Sequence, residues 1–226
     1  MRSMKISVII PTLNEELNIE KALQSVRKQE GSYEIYVVDG GSTDNTLAFA
    51  ERYAPVIKSN RGRATQMNAG VRLCTGYILL FLHADTFLPD NAFREIRKRL
   101  KDNTVAGGSF YLAFDGDNFI LKGVSFITRF NFRLFHFGDQ CIFVRRNVFE
   151  NLQGYKDMPI MEDYEFYKRL RGQGKVILLR MPVISSARRF IKKGILRQLL
   201  INKCVVLSYW AGIDIHTIKQ FYDDLR

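Results

Sequence analysis

The chain lacks any run of the roughly 18 apolar residues that would span a bilayer, so no transmembrane helix is expected. Its opening, "MRSMKISVIIPTLNEE", offers an apolar run of only five residues before Pro11. That is too short for a secretory signal core and reads as a first strand. Three cysteines, Cys74, Cys141 and Cys204, lack the spacing of a zinc site or a disulfide framework. Reduced thiols and a cytoplasmic location are the expectation. No G-x-G-x-x-G follows the first strand and no G-x-x-x-x-G-K-[ST] occurs, which removes the dinucleotide fingerprint and the P-loop. No low-complexity linker or internal repeat interrupts the 226 residues. The reading is one domain over 1–226, with a nucleotide-binding half at 1–104 and an acceptor-side half at 105–226. Acid is also missing from one long stretch: between Phe166 and Ile213 there is no Asp or Glu.

What is present fits an ordinary globular chain, 46% hydrophobic and 25% charged, able to bury a core. The net charge of +11 is concentrated in the acid-free stretch, which holds Lys168, Arg180, Lys192, Lys193, Arg197 and Lys203 among others. Such a block attracts phosphates, anionic lipid or nucleic acid, or is simply a solvated face. "FILKGVSFITRFNFRLFHF" and "ILRQLLINKCVVLSYWAGI" combine large apolar residues with scattered basic ones. They suit a membrane interface, a dimer contact or core helices.

The first hundred residues alternate strand and helix patterns. "KISVIIP", "YEIYVVD", "PVIKSN" and "GYILLFLHAD" read as strands. Between them lie "NEELNIEKALQSVRKQ", with Leu17, Ala22, Leu23 and Val26 inward, "STDNTLAFAERYA", capped by Ser42 or Thr43, and "GRATQMNAGVRLC". This rhythm means parallel βαβ units, with a change to mixed pairing from "VAGGSFYLAF" onward. The expected class is α/β: a mainly parallel central sheet with helices on both faces.

In such a sheet ligands bind beyond the carboxyl ends of the strands. Two strands end in acid there, at Asp39 and Asp85. Asp39, followed by Gly40 and Gly41, reads equally as a turn residue or as a ligand contact. Asp85 in "HADT" is a hard oxygen ligand for an ion bridging a diphosphate. His83 reads as a second ligand or as a packed, hydrogen-bonded histidine, the latter preferred. "PIMEDYEF" clusters Glu162, Asp163 and Glu165, which serve a helix dipole or take a proton from an attacking hydroxyl. Arg188 and Arg189 in "SSARRF" can compensate a leaving diphosphate. Arg61 and Arg63 in "NRGRATQMNAG" offer a further phosphate contact.

Taken in order, "VIIPTLNEE", "VVDGGSTDNT", "NRGRATQMNAG", "LLFLHADT", "GDQCIFVRR", "MEDYEF" and "SSARRF" resemble the family 2 glycosyltransferases, inverting enzymes of the GT-A fold. The resemblance runs over nearly the whole chain. It is closest in pattern to a short single-domain branch carrying HAD and SARR motifs. It implies that Pro11, Thr12 and Glu15 border the nucleotide and that Asp39 holds the base. It further implies that Arg61, Arg63 and Asn68 lie along that pocket and that Arg188 and Arg189 meet the diphosphate. Asp85, matching the last Asp of the family's DxD, would bind Mn²⁺ or Mg²⁺. Asp163 would be the general base with Glu162 second, and Gly138, Asp139 and Gln140 would face the acceptor.

His83 departs from the pattern, standing where DxD has its first Asp. The absence of the processive QxxRW motif implies transfer of a single sugar. The donor is expected to be a nucleoside-diphosphate sugar, UDP-linked rather than GDP-linked. The acceptor is an unidentified hydroxyl, lipid-linked if the protein meets the inner face of the cell membrane as a peripheral protein. A homodimer is compatible, and nucleic acid is not the expected partner. The rival readings are a nucleotidyltransferase of similar fold and a non-catalytic nucleotide-sugar or nucleic-acid binding protein.

Overall fold

The computed structural model describes residues 4–130 and 138–224. Eight strands form one sheet: β1 (Ile6–Thr12), β2 (Tyr33–Asp39), β3 (Val56–Lys58), β4 (Ile78–Phe81), β5 (Thr86–Phe87), β6 (Val105–Phe114), β7 (Ile142–Arg145) and β8 (Lys175–Ser185). Their order across the sheet is β3-β2-β1-β4-β7-β6-β8-β5. The β3-β2-β1-β4 side is parallel throughout. Beyond it, β7 runs antiparallel to both β4 and β6, β8 is parallel to β6, and β5 is antiparallel to β8. The expected α/β class and the switch to mixed pairing at β6 are both present.

Period-two burial fills both faces of the sheet. Ile6, Val8 and Ile10 of β1 share one core with Ile19, Leu23 and Val26 of α1 (Ile19–Arg27) and with Phe93 and Ile96 of α4 (Ala92–Arg99). Ile9, between them, joins the opposite core. There lie Met67 and Val71 of α3 (Arg63–Leu73), Phe149 of α6 (Arg146–Asn151), and Phe166 and Leu170 of α7 (Glu162–Leu170). Each such side chain contributes about 1.5–3 kcal/mol on burial. Gly70 lets α3 sit close on the sheet, since a Cβ there would come within 2.6 Å of Ile9.

The short α2 (Thr46–Ala50) follows β2, and α5 (Phe119–Thr128) leaves the end of β6. The C-terminal helices α8 (Arg188–Lys193), α9 (Ile195–Trp210) and α10 (Ile215–Asp224) follow β8. Val205 of α9 and Ile218 of α10 form a small separate core with Ile160, which precedes α7.

Three local expectations need correction. Leu17 is 64% exposed, because α1 begins two residues later and Leu17 sits in the preceding turn. Neither Ser42 nor Thr43 caps α2. Asp44 does so, accepting the Thr46 N–H at 3.0 Å, while the Ser42 hydroxyl donates to Asp39. The fourth strand stops at Phe81, so His83 and Asp85 lie in the turn that follows it and not within the strand. Of the aromatic segment 119–135, residues 131–135 lie outside the described residues, as does the side-chain environment of Gly138.

Candidate active site

The order β2-β1-β4 makes the space between β1 and β4 a topological switch point, where loops leave in opposite directions and a crevice opens. A cleft of about 410 Å³ lies there, lined by Pro11, Thr12, Glu15, Arg61, Arg63, His83, Asp85 and Arg189. A smaller hollow of about 140 Å³ adjoins it, lined by Arg63, Asp139, Glu162, Asp163 and Arg189 among others. Nine of the sequence-predicted residues thus share one crevice system with His83 and Asp139.

The loop after β1 turns at Asn14, whose φ of 53° is left-handed, a conformation Asn tolerates better than most residues. Asn14 is braced by the loop after β2: its amide N–H donates to the Ser42 hydroxyl, and its side-chain oxygen accepts from Thr43. Glu15 then faces the cleft, accepting from Asn18 and from Arg188 at 3.0 Å. Burial, reinforced by nearby Asp85, pushes its carboxyl above the ordinary range.

The turn after β4 and the segment after β8 are far apart in sequence and adjacent in space. Thr86 pairs with Ser185 in the β5–β8 ladder, and the Ser186 N–H donates to the Asp85 carbonyl. That short ladder delivers Arg189 to the Asp85 carboxylate, 2.6 Å away.

His83 lies between two carboxylates. Its Nδ1 is 2.9 Å from Asp139 and its Nε2 is 3.5 Å from Asp163. Burial alone would push the imidazole down, but the bonds to Asp139 and Asp163 outweigh it and raise His83 to about 10. The preferred reading of His83 as a packed, hydrogen-bonded residue matches this geometry. Burial opposes ionisation of Asp139 and Asp163 too, yet His83 holds both below the ordinary carboxylate range. Glu162 goes the other way: burial raises it, although Arg63 stands 2.6 Å off. Neighbouring carboxyls pushed in opposite directions are a mark of acid–base sites.

Backbone strain collects at the same place. Met161, just before Glu162, has φ 67°, and Cys141, two residues past Asp139, has φ 51°. Non-glycine residues in this region cost about 1–3 kcal/mol and persist where the surroundings impose them.

Donor atoms of His83, Asp85 and Asp139 lie within 4.8 Å of one another. The two carboxylates are hard ligands that suit Mn²⁺ or Mg²⁺, whereas His83 would join them only by giving up its proton and one of its carboxylate partners.

The remaining residues are placed differently. Asp39 is buried, and its carboxylate accepts from the Gly41 N–H at 2.8 Å and from the Ser42 N–H and hydroxyl. Gly41, at φ 97°, makes that turn. Asn68 exchanges two hydrogen bonds with the Tyr155 backbone, fastening the segment before α7. Glu165 separates from its acidic neighbours and pairs with Arg169 and Lys156.

Sequence reasoning put Asp139 on the acceptor side without linking it to His83, and it passed over Gln66, Lys219 and Tyr222. The Gln66 amide, buried in α3, bridges the Thr12 and Val38 carbonyls and so holds the ends of β1 and β2 together. A lone buried glutamine on an otherwise apolar helix face was its signal. Lys219 and Tyr222 line the cleft from α10, and no motif marked them.

The family model described as "Glycosyl transferase family 2" matches residues 7–197. The chain belongs to glycosyl transferase family 2. Among its relatives is the PGL/p-HBAD biosynthesis glycosyltransferase of Mycobacterium tuberculosis, 31% identical over 202 residues, covering 83% of this chain and 77% of that protein. Similar solved structures include the mannosyltransferase PcManGT of Pyrobaculum calidifontis in complex with GDP-Man and Mn²⁺. Its TM-score is 0.72 at 23% identity, over 95% of this chain and 65% of that one. Another is S. aureus TarS 1-349 in complex with UDP, TM-score 0.68 at 17% identity, over 98% of this chain and 69% of that one. The fold of this family 2 glycosyltransferase is therefore GT-A. No helix among the described residues is long and apolar enough to cross a membrane.

Proposed function

We propose that this glycosyltransferase moves a single sugar from a nucleoside-diphosphate sugar to an acceptor hydroxyl, with inversion at the anomeric carbon. The observation carrying this reading is the junction at His83, which ties Asp163 and Asp139 beside Asp85 in one crevice. It gives an anion-handling side and a proton-accepting side within one side chain of each other.

Thr12 and Glu15 border the nucleotide, and Arg61 and Arg63 lie along its phosphates. Asp39 meets the base only by exchanging one of the donors that Gly41 and Ser42 now supply. Asp85, with His83 and Asp139 in reach, would hold Mn²⁺ or Mg²⁺, which when bound neutralises diphosphate charge. Arg188 and Arg189, now on Glu15 and Asp85, turn to the departing diphosphate and stabilise the charge it gains. Asp163, ionised and oriented by His83, takes the acceptor's proton as its oxygen attacks the anomeric carbon from the face opposite the diphosphate. Glu162, held by Arg63, keeps the start of α7 in place. Most of the acceleration comes from positioning and preset charge.

The preferred donor is a UDP-sugar over a GDP-sugar. TarS and glucosyl-3-phosphoglycerate synthase are known in complexes with UDP and PcManGT with GDP-Man, so the related fold serves both bases. The acceptor is read as a lipid-linked hydroxyl met at the inner face of the cell membrane.

A panel of nucleotide sugars, with and without Mn²⁺, tests this through thermal shift and slow release of nucleoside diphosphate. A donor that stabilises the protein and is turned over only with metal supports the reading. Absence of binding and turnover with every donor overturns it.

A further inference from the structure

We propose that the outer face of α8 and α9, continued toward α5, docks on an anionic membrane surface and holds the acceptor side of the cleft against it. The proposal rests on the transferase reading only in giving that surface an acceptor to present.

Helix α9 is apolar on two sides. Ile201, Val205 and Val206 are buried, while Leu196, Leu200, Leu207 and Trp210 are 48–63% exposed. The exposed set recurs at helical spacing with Lys203 in the same stripe, so it is a continuous face. One turn upstream, Ile191 of α8 is 67% exposed beside exposed Lys192. Apolar area of this kind, interleaved with basic side chains, is the pattern of a helix lying at a lipid interface. The family match ends at residue 197, so most of this helix lies beyond the matched residues.

A second apolar face stands at the same end of the sheet. Phe119, Phe126 and Phe130 at α5 are 79%, 56% and 48% exposed. The two faces are joined at their roots: Phe114 pairs with Ser185 in the ladder, and the Phe114 and Phe190 rings meet at 5.0 Å. The Ala187 N–H also donates to Asp115.

Charge selects the occupant. A second copy of the chain in a two-fold contact would lay this face on itself, and it would set basic residue against basic residue. No Asp or Glu lies between Phe166 and Ile213 to face Lys192 and Lys203. The acids near its borders are committed elsewhere: Asp117 to Lys122, Asp214 to the first turn of α10, and Asp223 to Lys219. An anionic headgroup layer supplies the missing negative charge, and its acyl region takes the leucines. The same helix α8 points Arg188 and Arg189 inward to Glu15 and Asp85, so the docked face is one turn from the cleft.

The experiment is co-sedimentation of the full chain with vesicles of phosphatidylglycerol and phosphatidylcholine in equal parts, or of phosphatidylcholine alone. Binding to the mixed vesicles, weakened by salt, is expected. Lys192→Glu with Lys203→Glu should lower that binding about tenfold or more, and Leu200→Ser with Leu207→Ser should lower it comparably. Each variant should keep its wild-type melting temperature and rate of donor hydrolysis, which separates loss of docking from loss of fold. Equal binding to both vesicle types, or to neither, overturns the proposal. So does a dimer in light scattering that Leu200→Glu dissolves in the absence of vesicle binding. Donor hydrolysis without vesicle binding removes the surface and leaves the transferase reading. Vesicle binding without any donor turnover does the reverse.

Discussion

The two ends of the sheet use carboxylates in opposite ways. At the end where β1 and β2 begin, Glu34 accepts from Lys5, Ser7, and the Thr75 and Gly76 N–H groups. Burial works against its charge, but those donors win and hold it at about 2. Two of the four are backbone groups fixed by the fold, so nothing else can take their place. At the other end Glu15, Asp85 and Glu162 face Arg188, Arg189 and Arg63, cations on side chains with two-fifths or so of their surface exposed. An acid paired with fixed backbone is structure. An acid paired with a swinging guanidinium is a site in waiting, because a phosphate or a metal ion can replace the partner.

Changes at the cleft should abolish chemistry with little loss of fold. The largest effect is expected for Asp163→Asn: a fall in turnover of about a thousandfold, with donor affinity measured by calorimetry held within about twofold. Loss of donor binding together with turnover would remove Asp163 from the role of base. Asp85→Asn should weaken metal-supported donor binding by roughly tenfold or more and flatten the Mn²⁺ titration. An unchanged metal dependence would move the ion elsewhere.

At the opposite end the sign reverses. Glu34→Gln should cost about 2 kcal/mol in denaturant unfolding and leave turnover unaffected. Its pH signature follows from the direction of its shift. The folded value of about 2 lies below the ordinary 4.5, so the stabilisation is complete above about pH 4.5 and fades as pH falls toward 2. In Glu34→Gln that acid-side loss should be smaller, and an identical acid limb would mean the donors do not act as the contacts suggest. The smallest effect is expected for Asp44→Ala, about 1 kcal/mol from the lost cap of α2, while Ser42→Ala should leave α2 intact by circular dichroism.

The strands with strong local signals were legible in the sequence. A β-branched run ending at Asp39 and the run over Val105–Phe114 became strands with those same limits. Period-two and 3.6 patterns report burial directly. Where the local signal weakened, the reading slipped. Leu17 fits a helical stripe, but the helix starts after it. His83 and Asp85 look like the end of a strand because the apolar run before them is continuous, yet β4 ends at Phe81, opposite the first residue of β7, and the chain turns beyond it. Asp139 was marked only through its motif, and its place beside His83 comes from β7 entering the sheet next to β4.

By itself the sequence determined the α/β class, the order of its motifs, and which acids and arginines were candidates, since pattern and residue chemistry are properties of short stretches. Tertiary structure alone decided which of them meet. The β5–β8 ladder brings Arg189 to Asp85 across 104 residues, and sheet order brings Asp139 and Asp163 to the two nitrogens of one histidine. It also decided that the apolar face of α9 stands in the open, because helix periodicity marks an apolar side without saying what covers it.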